Sequence, residues 1–312
     1  MNILVTGGCG FIGSNFINHY LIKNEDDKIY NIDCLYYCSS EKNVNPNPRY
    51  KFIKGDITSK DLVSHILEEY AIDIIIHFAA QSHVDNSFES SLQYTRDNVL
   101  GTHTLLQAAK EYGRLTRFIH FSTDEVYGEV DRDHPGCTEY ALLNPTNPYA
   151  ATKAAAEFIV RSYFHSFKLP TIIVRCNNVY GPNQYPEKLI PKFIKLLKEG
   201  QKMTIHGKGE TRRNFIWTED VNTALDAILT RGVVNEIYNI GTTQEFSVME
   251  VAKLLVELLT VDKVLENHCV YVEDRPFNDS RYAVDTSALA ALGWNEVHTD
   301  FITNIKHLIS LS

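Results

Sequence analysis

The chain opens Asn2-Ile3-Leu4-Val5-Thr6-Gly7-Gly8-Cys9-Gly10-Phe11-Ile12-Gly13. The first five of these residues read as a short apolar strand, and the amphipathic run that follows reads as a helix to about Lys23. Glycines 7, 10 and 13 sit at the junction. Three needs put glycine there: a tight turn, close approach of backbone to a diphosphate, and close helix–strand packing. A diphosphate rests on the helix N-terminus, where unpaired N–H groups and the helix dipole favour anions. A second strand, Lys28–Ile32, ends in Asp33, 20 residues after Gly13. A carboxylate there grips ribose hydroxyls, and no arginine follows to accept a 2′-phosphate, which favours NAD over NADP. The bland alternative is a helix-capping loop with no ligand. The full context of strand, glycines, helix, strand and acid speaks against it.

Outward from this unit the chain repeats the same rhythm. A strand at Tyr50–Lys54 ends in Gly55-Asp56-Ile57. Asp56 suits either an adenine amine or the cap of the helix starting at Thr58-Ser59, and spacing favours the cap. The strand Asp73–Phe78 leads to Ala79-Ala80-Gln81, small residues that let a flat ring approach. Ser90–Tyr112 reads as a long helix containing Asn98, which either bonds backbone groups and bends the helix or shapes the floor of a site. Arg117–Phe121 is a buried strand, Asn147–Phe167 a helix begun by Asn-Pro, and Thr171–Arg175 a further strand. Repeated βαβ units with short links predict a Rossmann-type doubly wound parallel sheet, an α/β fold. From Cys176 the rhythm changes. Helices near 188–198, 219–230, 248–259 and 299–310, with strands at 203–206, 236–240 and 269–273, predict a smaller α/β unit. The expected division is therefore residues 1–176 and 177–312, with a returning segment near 213–232.

Composition excludes several classes. The chain has 312 residues, 44% hydrophobic and 22% charged, with a net charge of −9. That balance argues against non-specific nucleic-acid or membrane binding. No run of about 18 apolar residues is present to span a bilayer. The six cysteines form no CxxC or His/Cys cluster, and the twelve histidines show no metal-ligand spacing, so no metal is expected. Reduced thiols and no room for a leader before the first strand point to a cytoplasmic protein. His77, within an apolar strand, is expected to be a satisfied buried residue rather than a catalyst.

The chemistry concentrates in Ser122-Thr123-Asp124-Glu125-Val126-Tyr127-Gly128 and Tyr149-Ala150-Ala151-Thr152-Lys153. Two hydroxyls and two carboxylates follow a strand's C-terminal end, where open α/β sheets bind ligands. Tyr149 and Lys153, four apart, share a helix face. An ammonium beside a phenol favours the phenolate, so Tyr149 is expected below its usual pKa of about 10 and able to act as a base. Adjacent carboxylates in different environments can serve as acid and base; the plain alternative is that Asp124 and Glu125 only cap the next turn. Lys188, Arg213 and Arg275 lie in or near loops, where they could clamp a diphosphate, although a solvated surface charge is the default for each taken alone.

Assembled, these residues resemble an extended short-chain dehydrogenase/reductase, and within it the nucleotide-diphosphate-glucose 4,6-dehydratases. Gly7/Gly10/Gly13 and Tyr149/Lys153 carry the broader match, and the Asp124-Glu125 pair carries the narrower one. Related 4-epimerases and sugar-acid decarboxylases keep the hydroxyl and the Tyr/Lys pair but lack the two acids. The stretches His77–Ser87, Asn177–Gln184, Pro186–Pro191 and Asp274–Tyr282 are similar too, so the resemblance covers nearly the whole chain. Tyr37-Cys38-Ser39, Asn183–Lys188 and Arg275–Asp279 look more like the dehydratase portion of eukaryotic UDP-rhamnose synthases, and Arg213-Asn214-Phe215 departs from the Arg-Asp-Trp of bacterial dTDP-glucose dehydratases. UDP-glucose is therefore favoured over dTDP-glucose.

The resemblance implies NAD held by Gly7, Gly10, Phe11, Ile12, Gly13, Asp33, Asp56, Ile57, Ala79, Ala80 and Asn98, together with Tyr149 and Lys153. It implies a nucleotide sugar held by Ser82, Asn177, Asn178, Lys188, Leu189, Arg213 and Arg275. It also implies that Tyr149 removes the 4-hydroxyl proton of a sugar oriented by Thr123, that Glu125 takes the C5 proton, and that Asp124 protonates the departing 6-hydroxyl. The product would be a 4-keto-6-deoxy sugar, the first step toward rhamnose or another deoxysugar. Pairing into a homodimer through the Tyr149 helix and the long helix before it is implied as well. Ala150, Ala151, Ala154, Ala155 and Phe158 suit such a contact and equally suit packing on the sheet.

Overall fold

The structure is a computed structural model that describes residues 1–273 and 279–311. Its first half alternates strand and helix: β1 Asn2–Thr6, α1 Phe11–Lys23, β2 Lys28–Asp33, β3 Tyr50–Lys54, α2 Lys60–Glu69, β4 Ile74–His77, α3 Val84–Glu89, α4 Ser91–Tyr94, α5 Gly101–Tyr112, β5 Arg117–Thr123, α6 Pro148–Phe167 and β6 Thr171–Cys176. The second half contains β7 Asn178–Tyr180, α7 Leu189–Lys198, β8 Met203–His206, β9 Arg212–Trp217, α8 Thr218–Arg231, β10 Ile237–Ile240, β11 Glu245–Ser247, α9 Val248–Leu259, α10 Leu265–His268, β12 Cys269–Val272, α11 Ser287–Ala291 and α12 Phe301–Leu311.

Seven parallel strands form the large sheet, in the order β10-β6-β5-β4-β1-β2-β3. The order reverses beside β1, so the ends of β1, β2 and β4 open onto one crevice. Strands covered on both faces must be apolar throughout, and β4 and β6 are buried at every position. Arg175 on β6 is the largest polar exception. Its Nη2 donates to Glu157 Oε2 at 2.6 Å and its Nη1 to the Tyr127 hydroxyl at 2.8 Å. A buried charge needs such a partner. This pair ties α6 to the sheet. His77 is satisfied between Thr6 Oγ1 (2.7 Å) and Thr102 Oγ1 (2.9 Å), and burial lowers its pKa to about 3.

The smaller sheets, β11-β9-β7 and β12-β8, surround a separate apolar cluster that includes Phe193, Trp217 and Phe301. The path between the halves is not one crossing. The returning segment expected near 213–232 continues further: α8 packs on α1, and β10 adds an edge strand to the large sheet. Strand β9 also begins at Arg212, earlier than a loop through Arg213 allows. The long helix expected at 90–112 is built from α4, a π-helical segment Thr95–Leu100 and α5. Among the described residues, no helix is long and apolar enough to cross a membrane.

A charged clamp holds α1 to α8. His19 Nδ1 bonds Glu219 Oε1 at 2.9 Å, and its Nε2 bonds Asp226 Oδ2 at 2.8 Å. Lys23 Nζ shares Asp226 at 2.7 Å. The carboxylates raise the imidazole from 6.5 to about 9. Because the folded value lies above the unfolded one, the clamp's stabilisation is complete below pH 6.5 and is lost as pH rises through about 9. His19→Gln should therefore lower unfolding free energy by about 1–3 kcal/mol at pH 6. Denaturant melts should show the gap to wild type closing above pH 9.

Candidate active site

The β1–α1 turn is built from glycine because nothing larger fits. Gly7 has φ +71°, and a Cβ there would lie 2.7 Å from both Ala79 N and Ala79 Cα. A Cβ on Gly13 would lie 2.6 Å from Gly7 O. Gly10 differs: a Cβ would meet only Gly7 O at 3.3 Å, on the wall of a large cavity. That bare wall stands at the N-terminus of α1, a setting for an anion. At the end of β2, Asp33 is oriented by the N–H groups of Cys9 (2.9 Å) and Leu35 (2.8 Å), and it too lines the cavity. Asp56 closes the turn before α2 rather than capping the helix, whose N-cap is Ser59. Its Oδ1 accepts from Thr58 N and Thr58 Oγ1, each at 2.8 Å, leading into α2, while the residue also lines the cavity.

The cavity continues past Ile57, Ala79, Ala80 and Ser82 to the end of β5. There Thr123 caps a 3₁₀ turn, Asp124–Tyr127, that carries both acids. Asn177 Nδ2 donates to Asp124 Oδ2 at 2.7 Å, and Asn147 Nδ2 donates to Glu125 Oε2 at 3.1 Å. Burial, then the neighbouring Glu125, raises the Asp124 carboxyl to about 7. Burial also raises Glu125, while Asn147, Arg213 and Lys188 pull it back. The two acids thus differ in their partners: one sits at its midpoint near neutrality, and the other faces two cations.

Tyr149 and Lys153 both lie on the cavity wall from α6, but the expected depression of Tyr149 is not found. Burial and the negative charge of Glu125 and Asp124 raise its pKa, and only the Thr123 hydroxyl acts the other way. Lys153 Nζ donates instead to the Phe121 carbonyl at 2.7 Å, and desolvation lowers it to about 8. Helical spacing shows that two residues share a face, not which acceptor the longer side chain chooses.

The second half supplies the far wall. Lys188 precedes α7 and donates to the Ser82 carbonyl at 2.8 Å. Arg213, on β9, stacks over the Tyr282 ring at 4.7 Å. Leu189, Asn177 and Asn178 complete this side, while Phe11, Ile12 and Gly13 line the opposite end. Asn98 is not on the wall. Its Oδ1 accepts from Gln81 N at 2.7 Å and its Nδ2 donates to Gln81 O at 3.1 Å, so it holds the β4 loop from behind. Arg275 lies outside the described residues. Asn147, which reads from the sequence only as a helix start, also lines the cavity, as do Tyr37, Glu187 and Tyr282, which the sequence places in similar stretches without a site role. Tyr37 hydrogen-bonds Glu187 at 2.7 Å across the two halves, a pairing no local pattern announces. Among the described residues there is no group of three or more His, Cys, Asp or Glu placed to hold a metal.

The chain is 52% identical over 299 residues to the Arabidopsis thaliana trifunctional UDP-glucose 4,6-dehydratase/UDP-4-keto-6-deoxy-D-glucose 3,5-epimerase/UDP-4-keto-L-rhamnose-reductase, matching 95% of this chain and 44% of that protein. The chain thus spans less than half the length of that relative. It is 48% identical to the dTDP-D-glucose 4,6-dehydratase of Mus musculus, over 94% of this chain and 83% of that one. Among solved structures, the Streptomyces venezuelae dTDP-glucose 4,6-dehydratase with NAD and TYD bound superposes with a TM-score of 0.93 at 36% identity, covering 99% of this chain and 96% of that one. A UDP-glucose 4-epimerase from Thermotoga maritima gives 0.90 at 28% identity, covering 99% and 98%. A family profile described as GDP-mannose 4,6 dehydratase matches residues 4–306. With this glycine turn, this Tyr/Lys helix and this pair of acids on one cavity, the chain belongs to the GDP-mannose 4,6-dehydratase family.

Proposed function

We propose that the protein is an NAD-dependent nucleotide-sugar 4,6-dehydratase, a hydro-lyase acting on UDP-glucose. The observation that carries this reading is the pair of acids at the end of β5, each held by its own asparagine, with Asp124 balanced near pH 7. A 4-epimerase needs no such pair. The bare wall at Gly10, the α1 N-terminus and the oriented Asp33 fit a dinucleotide, and the Asp33 carboxylate disfavours a 2′-phosphate. UDP over dTDP rests on the 52% match to the plant enzyme. The 48% match to the mouse enzyme and the Streptomyces structure support dTDP-glucose as the second reading.

When bound, the oxidised cofactor supplies a hydride acceptor for C4, a positive charge that favours loss of the Tyr149 proton, and, once reduced, a hydride donor for C6. Tyr149 takes the proton of the 4-hydroxyl, and Thr123, whose hydroxyl opposes the upward push on that phenol, sets the hydroxyl's position. Glu125 removes the C5 proton, made acidic by the 4-ketone. Asp124, protonated below about pH 7, delivers its proton as the C6–O bond breaks and water leaves. Lys188 and Arg213 offer their charge to the diphosphate. The enzyme works in the cytoplasm, where its six cysteines, all free in the structure, stay reduced. Two copies pair through α5 and α6: Ala150 and Ala154 are buried within the subunit, whereas Ala151 and Phe158 are exposed.

Incubation with UDP-glucose or dTDP-glucose without added reductant, followed by mass spectrometry, tests the reading. A product lighter by one water supports it, and relative rates name the base. An isomer of unchanged mass would replace it with an epimerase. Glu125→Gln should cut turnover by about 10²-fold or more while leaving C4 oxidation intact. Asp124→Asn should also stop elimination, yet stabilise the fold. The raised carboxyl lets the folded state bind a proton that the unfolded chain has already lost between pH 3.8 and about 7, so stability falls with rising pH across that window. Asp124→Asn should therefore gain about 0.5–2 kcal/mol in denaturant melts at pH 8, with little gain at pH 4. Phe158→Glu should shift the mass seen in light scattering from dimer to monomer.

A further inference from the structure

Asn147 stands two residues before Tyr149, in extended backbone, and is 7% exposed. Its Oδ1 accepts the Ala150 N–H at 2.8 Å, closing the first turn of α6. That bond fixes which way the amide faces, because only the oxygen can accept. Its Nδ2 therefore points away from the helix, where it donates to Glu125 Oε2 at 3.1 Å. The neighbouring Thr146 donates to Asp279 Oδ2 at 2.6 Å, which anchors the same stretch to the far wall. One side chain thus bridges the turn after β5 and the start of the helix bearing Tyr149 and Lys153.

We propose that Asn147 is a positioning residue for proton removal at C5, its single amide setting the Glu125 carboxylate relative to Tyr149. This rests on the dehydratase reading above. A glutamate free to swing would meet the C5 hydrogen less often, and small displacements of a catalytic group cost large factors in rate. The amide also opposes the upward push of burial on the Glu125 carboxyl, helping it remain an acceptor. The charged and titratable groups facing Glu125 are Asp124, Tyr149, Lys188, Arg213, Asp279 and Tyr282. Of the groups acting on Glu125, Asn147 is the one that also caps α6.

Two substitutions separate positioning from capping. Serine and aspartate both cap helices well. Asn147→Ser keeps a cap but is too short to reach Glu125, and Asn147→Asp keeps a cap while replacing the donor by a second carboxylate. Two readouts are needed. In isotope-labelled glutamate NMR, with the Glu125 signal assigned by its loss in Glu125→Gln, the midpoint should rise in Asn147→Ser and rise further in Asn147→Asp. In kinetics on UDP-glucose, kcat should fall roughly tenfold for Ser and roughly a hundredfold for Asp, with KM within about twofold. The acid limb of the pH profile should move upward, and reduced-cofactor absorbance should build up because C4 oxidation outruns C5 deprotonation. An unmoved Glu125 midpoint, or a loss of both steps together without that build-up, would overturn the proposal. A moved midpoint in a protein whose wild type dehydrates neither sugar would instead sink the dehydratase reading and leave the Asn147–Glu125 coupling standing.

Discussion

The constraint on which the site depends is two adjacent carboxylates withdrawn from bulk water at the end of β5. Ionised neighbours in a poorly solvated place are costly. The structure offsets that cost in three ways: Asp124 keeps a proton to near neutrality, each acid receives its own asparagine amide, and Arg213 and Lys188 direct positive charge at Glu125. The difference between the two carboxyls thus follows from their surroundings rather than from the residue types.

Those surroundings come from both halves of the chain, so the fold must hold the halves together. Parallel strands deliver Gly7, Asp33, Ala79 and Thr123 to one edge of the large sheet. The far wall needs β7 and β9, which belong to the three-stranded sheet, and α7, which packs on α9. The chain then returns through α8 to place β10 beside β6, and the His19 clamp pins α8 to the glycine helix. Asn177 sits where these paths meet: it follows β6, accepts from Thr242 N at 3.2 Å just after β10, and donates to Asp124. The buried Arg175–Glu157 pair holds α6 against β6, so the helix bearing Tyr149 has little freedom to shift.

What the sequence made legible was local. The glycine spacing, the acid after the second strand and the apolar strands each report short-range geometry, and the crevice holds the residues those patterns single out. The Tyr149/Lys153 spacing placed both side chains on one wall. What stayed hidden depends on contacts between distant segments. Lys153 reaches the carbonyl of Phe121, 32 residues away, and so does not pull the Tyr149 phenol down. Asn98 sits in a π-helical turn and braces Gln81 from outside the cavity, a displacement that helical spacing does not encode. Arg213 belongs to a strand because β7 and β11 flank it, although Gly207 and Gly209 made the stretch before it look like open loop.

On the proposed function, hydride leaves C4 of a hexose and returns to C6 of the same molecule within one cavity, with water lost between. The decisive substrate is UDP-glucose deuterated at C4, with the product read by mass spectrometry and NMR. The product should be lighter by one water, with the deuterium in its C6 methyl group. Deuterium that stays at C4 or is released to solvent, or a product that keeps its 6-hydroxyl, would contradict it.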